Sequence, residues 1–164
     1  VLFRSTFDRL LDRHELPAAL TADLVDAYHD ATTPLAPYPE TERVLSELGA
    51  QYHLGLVTDG RGGHAKLHRL GLEDYFDAVM VTPTVDATKR EPMVFENVLS
   101  ELSVTADAAV YVGDDPRFDF QVPNELGMRT IRVRRGRFAD LEPDGEALAP
   151  DLELDRLDQL LGHL

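Results

Sequence analysis

The sequence predicts an α/β fold, a mainly parallel and doubly wound sheet with helices on both faces. Three observations carry this expectation. After Gly49, short apolar runs alternate with helix-patterned segments, the signature of strand–helix–strand crossovers. The runs are apolar nearly throughout, as in strands covered on both faces. Polar residues cluster where the runs stop, and open α/β sheets place their sites at the carboxyl ends of strands.

The elements follow in order. Phe3, Phe7, Leu10 and Leu11 share one face of a first helix, with Arg9, Asp12 and Arg13 elsewhere on it. Leu16-Pro17 interrupts, and Thr21 is placed to cap a second helix whose Leu24, Ala27 and Tyr28 share a face. Residues 31–40, ATTPLAPYPE, carry Pro34, Pro37 and Pro39 and form a stiff, non-helical connector. This boundary divides the chain into a helical segment, residues 1–36, and an α/β segment, residues 37–164. Pro39 suits the start of a third helix that runs to Gly49 with Val44, Leu45 and Leu48 inward. Strands are expected at residues 52–58, 78–82, 109–113 and 130–133. Helices are expected at residues 64–70, at residues 92–102 with Val94, Phe95, Val98 and Leu102 inward, and up to Leu126, where Gly127 stops the last of them. Leu154, Leu157, Leu160 and Leu161 have the spacing of a final amphipathic helix.

Bulk properties narrow the function classes. A net charge of −14 repels a phosphate backbone and argues against nucleic-acid binding. The sequence has no cysteine, which excludes disulfides and thiolate metal sites. No apolar run approaches the ~20 residues of a membrane span, and VLFRSTFDRLLDR does not read as a secretory signal. A cytoplasmic protein is expected. Lys66 and Lys89 are the only lysines. Arg129, Arg132, Arg134, Arg135 and Arg137 read as the solvent face of a strand and a basic turn. Gly60-Arg61-Gly62-Gly63 does not have dinucleotide-binding spacing, and His64 with His68 reads as a surface pair without a third ligand.

The chemistry concentrates at three run ends. Thr58-Asp59-Gly60 closes the first, Lys89 lies beyond the second, and YVGDDPRFD, residues 111–119, closes the third. Acids crowded into one turn repel each other unless a cation or hydrogen bonds offset them. A hard ion such as Mg2+ takes one or two carboxylates, waters and phosphate oxygens. A hydroxyl, a small-residue turn exposing N–H groups, an ammonium and a carboxylate set together suit a phosphoryl group.

The order LGLVTDG, KLHRLGLEDYFDAV, KREPMVF, YVGDDPRFDF and NELGMRTIRV resembles the haloacid dehalogenase-like hydrolase superfamily, in its helical-cap phosphatase type. The likeness runs from about Pro37 to the C-terminus. It implies a Rossmann-like doubly wound parallel sheet lacking its first strand, with residues 1–36 as a partial helical cap. It also implies roles. Thr58, with Asp59 and Gly60, binds the phosphoryl oxygens; Lys89 leads a K-x-x-P-x-x-F pattern with Pro92 and Phe95; Asp114 and Asp119, with Asp115 as a further candidate, hold Mg2+ in a GDxxxxD pattern. Arg90 stands where the family has proline, Asp115 where a small polar residue is common, and Val122-Pro123 where a small pair is usual.

The family's nucleophile and general acid/base come from a DxD after an apolar strand. No such motif occurs in this sequence, and Asp12, Asp23, Asp26, Asp30, Asp151 and Asp155 lie in other contexts. The resemblance implies that the first strand and early cap precede Val1. It implies a parent enzyme that hydrolyses a small phosphate monoester through an aspartyl-phosphate, while the chain as given is inactive. The strands ending at Thr58 and Gly113 would then either face each other unpaired, inviting self-association, or pair directly. The alternatives are a non-catalytic regulatory or binding protein of the same fold, a 2-haloacid dehalogenase and a phosphomutase.

Overall fold

Helical patterning at the N-terminus and apolar runs after Gly49 become helices and strands as expected. The computed structural model describes residues 2–30 and 35–164. The expectations for residues 31–34 of the connector, Pro34 included, and for the side chains of Phe3 and Tyr28 lie outside the described residues.

The chain forms two units, Val1–Leu35 and Ala36–Leu164. In the first, helices α1 (Leu2–Arg13) and α2 (Leu20–Asp30) pack on each other. Leu11 is buried, whereas Leu10 and Leu24 are exposed. Thr21 does not cap α2. It lies within the helix, buried, and its hydroxyl donates to Asp8 Oδ1 at 2.6 Å. A tertiary acceptor has taken the hydroxyl that local propensity assigned to a cap.

The second unit begins with α3 (Thr41–Gly49), which buries Val44 and Leu48 as its spacing required. The strands are β1 (Gly55–Thr58), β2 (Ala78–Val81), β3 (Val110–Gly113), β4 (Arg129–Val133) and β5 (Leu152–Leu154). β1 starts later than the apolar run suggested, and Tyr52 and His53 ahead of it are exposed. Every pairing is parallel: Leu56 opposes Val79, Tyr111 opposes Thr130, and Ile131 opposes Leu152. Parallel neighbours need crossovers. The β1–β2 crossover contains α4 (Gly63–Leu70), the β3–β4 crossover α6 (Gln121–Leu126) and the β4–β5 crossover 3-10 turns only, while α5 (Pro92–Leu102) links one sheet to the other.

The strands fall into two sheets, β1–β2 and β3–β4–β5, so β1 and β3 do not pair and each keeps one edge open among the described residues. Of the two outcomes expected for the strands ending at Thr58 and Gly113, the unpaired one is seen. No residue of β1 or β3 is fully buried, while Thr130, Ile131 and Arg132 of β4 are. Helix α5 backs both sheets. Val94 and Phe95 are buried in one cluster with Ala87, Val122 and Met128, against which Val57, Met80 and Tyr111 pack. The Phe95 ring meets Tyr111 of β3 edge-on, with centroids 5.2 Å apart. Burial of side chains of this size stabilises by about 1.5–3 kcal/mol each.

Two expectations at the C-terminal end are corrected. Leu154 belongs to β5 rather than to a helix, and Leu157–Gly162 is a 3-10 helix. Ile131, Leu154 and Leu160 form a second buried cluster, so β-pairing has captured the first leucine of an apparent helical stripe. Arg132 does not face solvent. Its side chain is 0% exposed and pairs with Glu153 at 2.8 Å, while Nη2 donates to the Phe138 and Leu141 carbonyls. An arginine is tolerated in such a place when acceptors meet its charge, as they do here at both Nη atoms, although Nε has no partner among the described residues.

Candidate active site

The strand ends expected to carry chemistry lie on the carboxyl side of β1, β2 and β3. After β1, Thr58 Oγ1 accepts the Gly60 N–H at 3.1 Å, which curls the chain into a tight turn. α4 starts almost immediately: a methyl group added at Gly63 would lie 2.8 Å from Thr58 Cγ2. One added at Gly60 would lie 3.8 Å from Lys66 Nζ, so the second lysine also stands beside this turn.

Asp59 faces the next strand end. Its Oδ1 accepts the Thr82 hydroxyl at 2.6 Å and the Lys89 backbone N–H at 3.0 Å. Thr82 is fully buried. Asp59 is therefore a strut between the β1 turn and the segment that leads to Lys89.

From that segment Lys89 reaches β3. Its Nζ donates to Asp119 Oδ1 at 2.8 Å, with the lysine side chain 17% exposed and the aspartate 2%. The other oxygen, Oδ2, accepts the backbone N–H groups of Asp114 at 3.0 Å and Asp115 at 2.9 Å. One buried carboxylate thus fixes the acidic turn and the ammonium together. Gly113 makes this possible, since a Cβ there would lie 2.6 Å from Asp119 Oδ2 and 2.7 Å from its Cβ. Gly113→Ala is expected to destabilise by about 1–3 kcal/mol, in the range of overpacked interiors. Urea denaturation checks this, and an unchanged midpoint would contradict the close approach.

Asp115 turns away to Arg117, which donates through Nε at 2.9 Å and Nη2 at 2.7 Å. Burial works against the Asp115 charge, but the hydrogen bonds from Arg117 outweigh it and hold the carboxyl below its ordinary value. Asp114 is different. No hydrogen bond or ion pair among the described residues reaches its exposed carboxylate. Desolvation, followed by the like charge of Asp119, raises it above its ordinary value, with Lys89 acting in the opposite sense. Burial also opposes the charge on Lys89, yet Tyr111 and Asp119 beside it more than restore it, and the ammonium is held above its ordinary range.

The structure therefore joins Asp59, Lys89, Asp114 and Asp119 in one hydrogen-bonded chain across three strand ends. The Thr58 hydroxyl is engaged by its own turn, and Asp115 by Arg117. Among the described residues, no three His, Cys, Asp or Glu side chains are grouped to hold a metal by themselves. Two shallow hollows, of about 300 and 340 Å³, lie elsewhere, lined by residues such as Gly49, Tyr52, His53 and Asp77. Sequence reasoning missed Thr82, Tyr111 and Arg117. Thr82 carried a signal, a hydroxyl directly after an apolar run just as at Thr58, and Arg117 sits two residues from the acid it clamps.

The haloacid dehalogenase-like hydrolase family profile matches residues 3–133. The chain belongs to this family. It is 37% identical over 161 residues to a glyceraldehyde 3-phosphate phosphatase of Methanopyrus kandleri, covering 94% of this chain and 69% of that protein. It is 32% identical to a phosphoserine phosphatase of Thermus thermophilus, covering 73% of this chain but 48% of that protein. Among solved structures, a haloacid dehalogenase-family phosphatase from Thermococcus onnurineus superposes with a TM-score of 0.68 at 33% identity, over 77% of this chain and 57% of that one. A family hydrolase from Bacillus subtilis shares the fold, with a TM-score of 0.81 at 20% identity over 99% of this chain and 71% of that one. No described helix is long and apolar enough to cross a membrane.

Proposed function

We propose that this edge belongs to a magnesium-dependent phosphatase that acts on a small phosphate monoester. The observation that carries the reading is the Lys89–Asp119 pair locked beneath the Asp114 turn, at the sheet edge where the β1 turn also ends. The names of the related phosphatases support a small phosphorylated metabolite as substrate. Residues 1–36 act as part of a helical cap, and residues 37–164 as the core.

The residues fit a weakly held, largely hydrated Mg2+. Such an ion needs one or two carboxylates and takes water and phosphate oxygens for the rest. Asp114 offers the free carboxylate and Asp119 stands directly behind it, while Asp115, the further candidate, is paired with Arg117. When bound, the ion offsets charge developing on the phosphoryl oxygens. Lys89 binds an equatorial phosphoryl oxygen with a fixed ammonium, and the Thr58 hydroxyl, whose oxygen accepts the Gly60 N–H, donates its proton to another; both act most strongly in the transition state. The reaction itself needs an aspartate that attacks phosphorus and a second that assists water. The 164 residues hold neither in a DxD, and the chain alone binds phosphate without turning it over. The open edges of β1 and β3 make it prone to self-association, which a sedimentation profile that grows with concentration would reveal and a constant monomer would contradict.

Calorimetric titration of inorganic phosphate tests the reading. Phosphate is expected to bind only when Mg2+ is present, and Asp114→Asn to abolish that dependence. Binding that ignores both would overturn it. The pH dependence has a definite sign. A raised folded value means that the fold favours protonated Asp114, and that this stability is lost as pH rises through the folded value. In metal-free protein at neutral pH, Asp114→Asn should therefore raise the melting temperature slightly. Protons compete for the same oxygen, so Mg2+ affinity should begin to fall, as pH is lowered, above the ordinary aspartate range. A metal-free melting temperature lowered by Asp114→Asn would contradict this.

A further inference from the structure

Beside Lys89 and Asp119 the side chains of the next residues form a stack. The Arg90 guanidinium lies 4.7 Å from the Phe118 ring centroid. Arg117 lies 5.3 Å from Phe118 and 4.8 Å from Phe138. Arg137 lies 4.4 Å from Phe138. Read along its length, the order is Arg90, Phe118, Arg117, Phe138, Arg137, with guanidinium and ring alternating. Its members come from three separate segments, two of them bearing residues of the site: Arg90 follows Lys89, and Phe118 precedes Asp119.

The charges in this stack are not equivalent. Arg117 is neutralised by Asp115 at 2.7 Å. Arg90 and Arg137 have no carboxylate partner among the described residues, although the chain carries 30 acidic side chains against 16 lysines and arginines. Both are exposed, and the field of Arg137 reaches Asp114 and Asp115. A ring face holds a guanidinium in place and leaves its N–H edge outward. Two pre-ordered forks at the rim of a phosphate site suit a second oxyanion, which such forks bind bidentately.

We propose that this ladder is the specificity element for the leaving group. The substrate it selects is a phosphate monoester that carries a second anionic group, a carboxylate or another phosphate, which one of the two free forks, Arg90 beside Lys89 or Arg137 at the far end of the stack, binds while Lys89 holds the phosphoryl group. The inference rests on the phosphate reading of the site and adds the substrate class to it.

Three probes test it by calorimetry on the 164-residue chain with Mg2+: glycerol 3-phosphate, 3-phosphoglycerate and glycerol 1,3-bisphosphate. At least one of the two doubly anionic probes is expected to bind about tenfold more tightly than glycerol 3-phosphate, and which one does so tells carboxylate from phosphate. The advantage should shrink as salt rises, as for exposed charges. Arg90→Gln combined with Arg137→Gln should erase it and leave glycerol 3-phosphate binding unchanged. Arg90→Lys, which keeps the charge and loses the planar fork, should retain part of it. Equal affinity for all three probes, or an advantage that survives the double substitution, overturns the ladder alone. Failure of every probe and of inorganic phosphate to bind overturns the phosphate reading and this inference with it.

Discussion

Asp119→Ala should lower the stability of the chain by about 3–5 kcal/mol, the range seen when one partner of a buried ion pair is removed. The reason is specific to this carboxylate. It is 2% exposed, one oxygen holds a lysine ammonium that is itself only 17% exposed, and the other holds two backbone N–H groups. Removal strands a charge and two donors at once, and each unmade buried hydrogen bond adds its own desolvation penalty. Asp114→Ala, five residues away on the same turn, should change stability by no more than about 0.5 kcal/mol, as surface substitutions do. Urea unfolding of the two variants checks this. Lys89→Met added to Asp119→Ala should recover part of the loss, because it removes the stranded charge, and the double-mutant cycle measures the coupling directly. Equal destabilisation by Asp114→Ala and Asp119→Ala would mean that Asp119 is not the anchor the geometry describes.

The second large effect concerns catalysis. With Mg2+ and p-nitrophenyl phosphate, the 164-residue chain should release nitrophenolate no faster than buffer. Loss of the nucleophile in a covalent mechanism costs on the order of 10⁶ in rate, which leaves positioning groups without a step to accelerate. Asp59 is the one carboxylate that directly follows β1, and it is not expected to substitute. Its Oδ1 is committed to Thr82 and to the Lys89 backbone. Robust turnover that Asp114→Asn abolishes would overturn this expectation and require a nucleophile within these residues.

Much of this was legible in the sequence because it depends on local pattern. Helix α5 was bounded by Pro92 and by the end of its apolar stripe, and its inward Val94, Phe95 and Val98 are buried. The first four strands follow from runs such as AVMV and VYVG, whose ends fix where chemistry can sit. Lys89 and the GDxxxxD spacing marked the site because an acidic turn needs compensation. What was hidden depends on partners far along the chain. Arg132 reads as a surface residue until Glu153 and the carbonyls of Phe138 and Leu141 surround it. Leu154 reads as helical until Ile131, Leu154 and Leu160 come together as a cluster beside β4. Asp59 reads as part of a phosphate-binding turn, and its role as a strut appears only when Thr82 and Lys89 arrive from the next crossover. Asp119 reads as a metal ligand, and that both its oxygens already have partners is a property of the fold.

One phosphate site is proposed for the β1 turn, the Lys89 segment and the β3 turn together. The most direct measurement is amide NMR of the labelled chain during titration with inorganic phosphate at saturating Mg2+. The N–H resonances of Gly60, Lys89 and Asp114 should move together along one binding curve, and all three should stay still in a Lys89→Met variant. Shifts confined to one of the three turns, or following separate curves, would show that these strand ends do not serve one ligand.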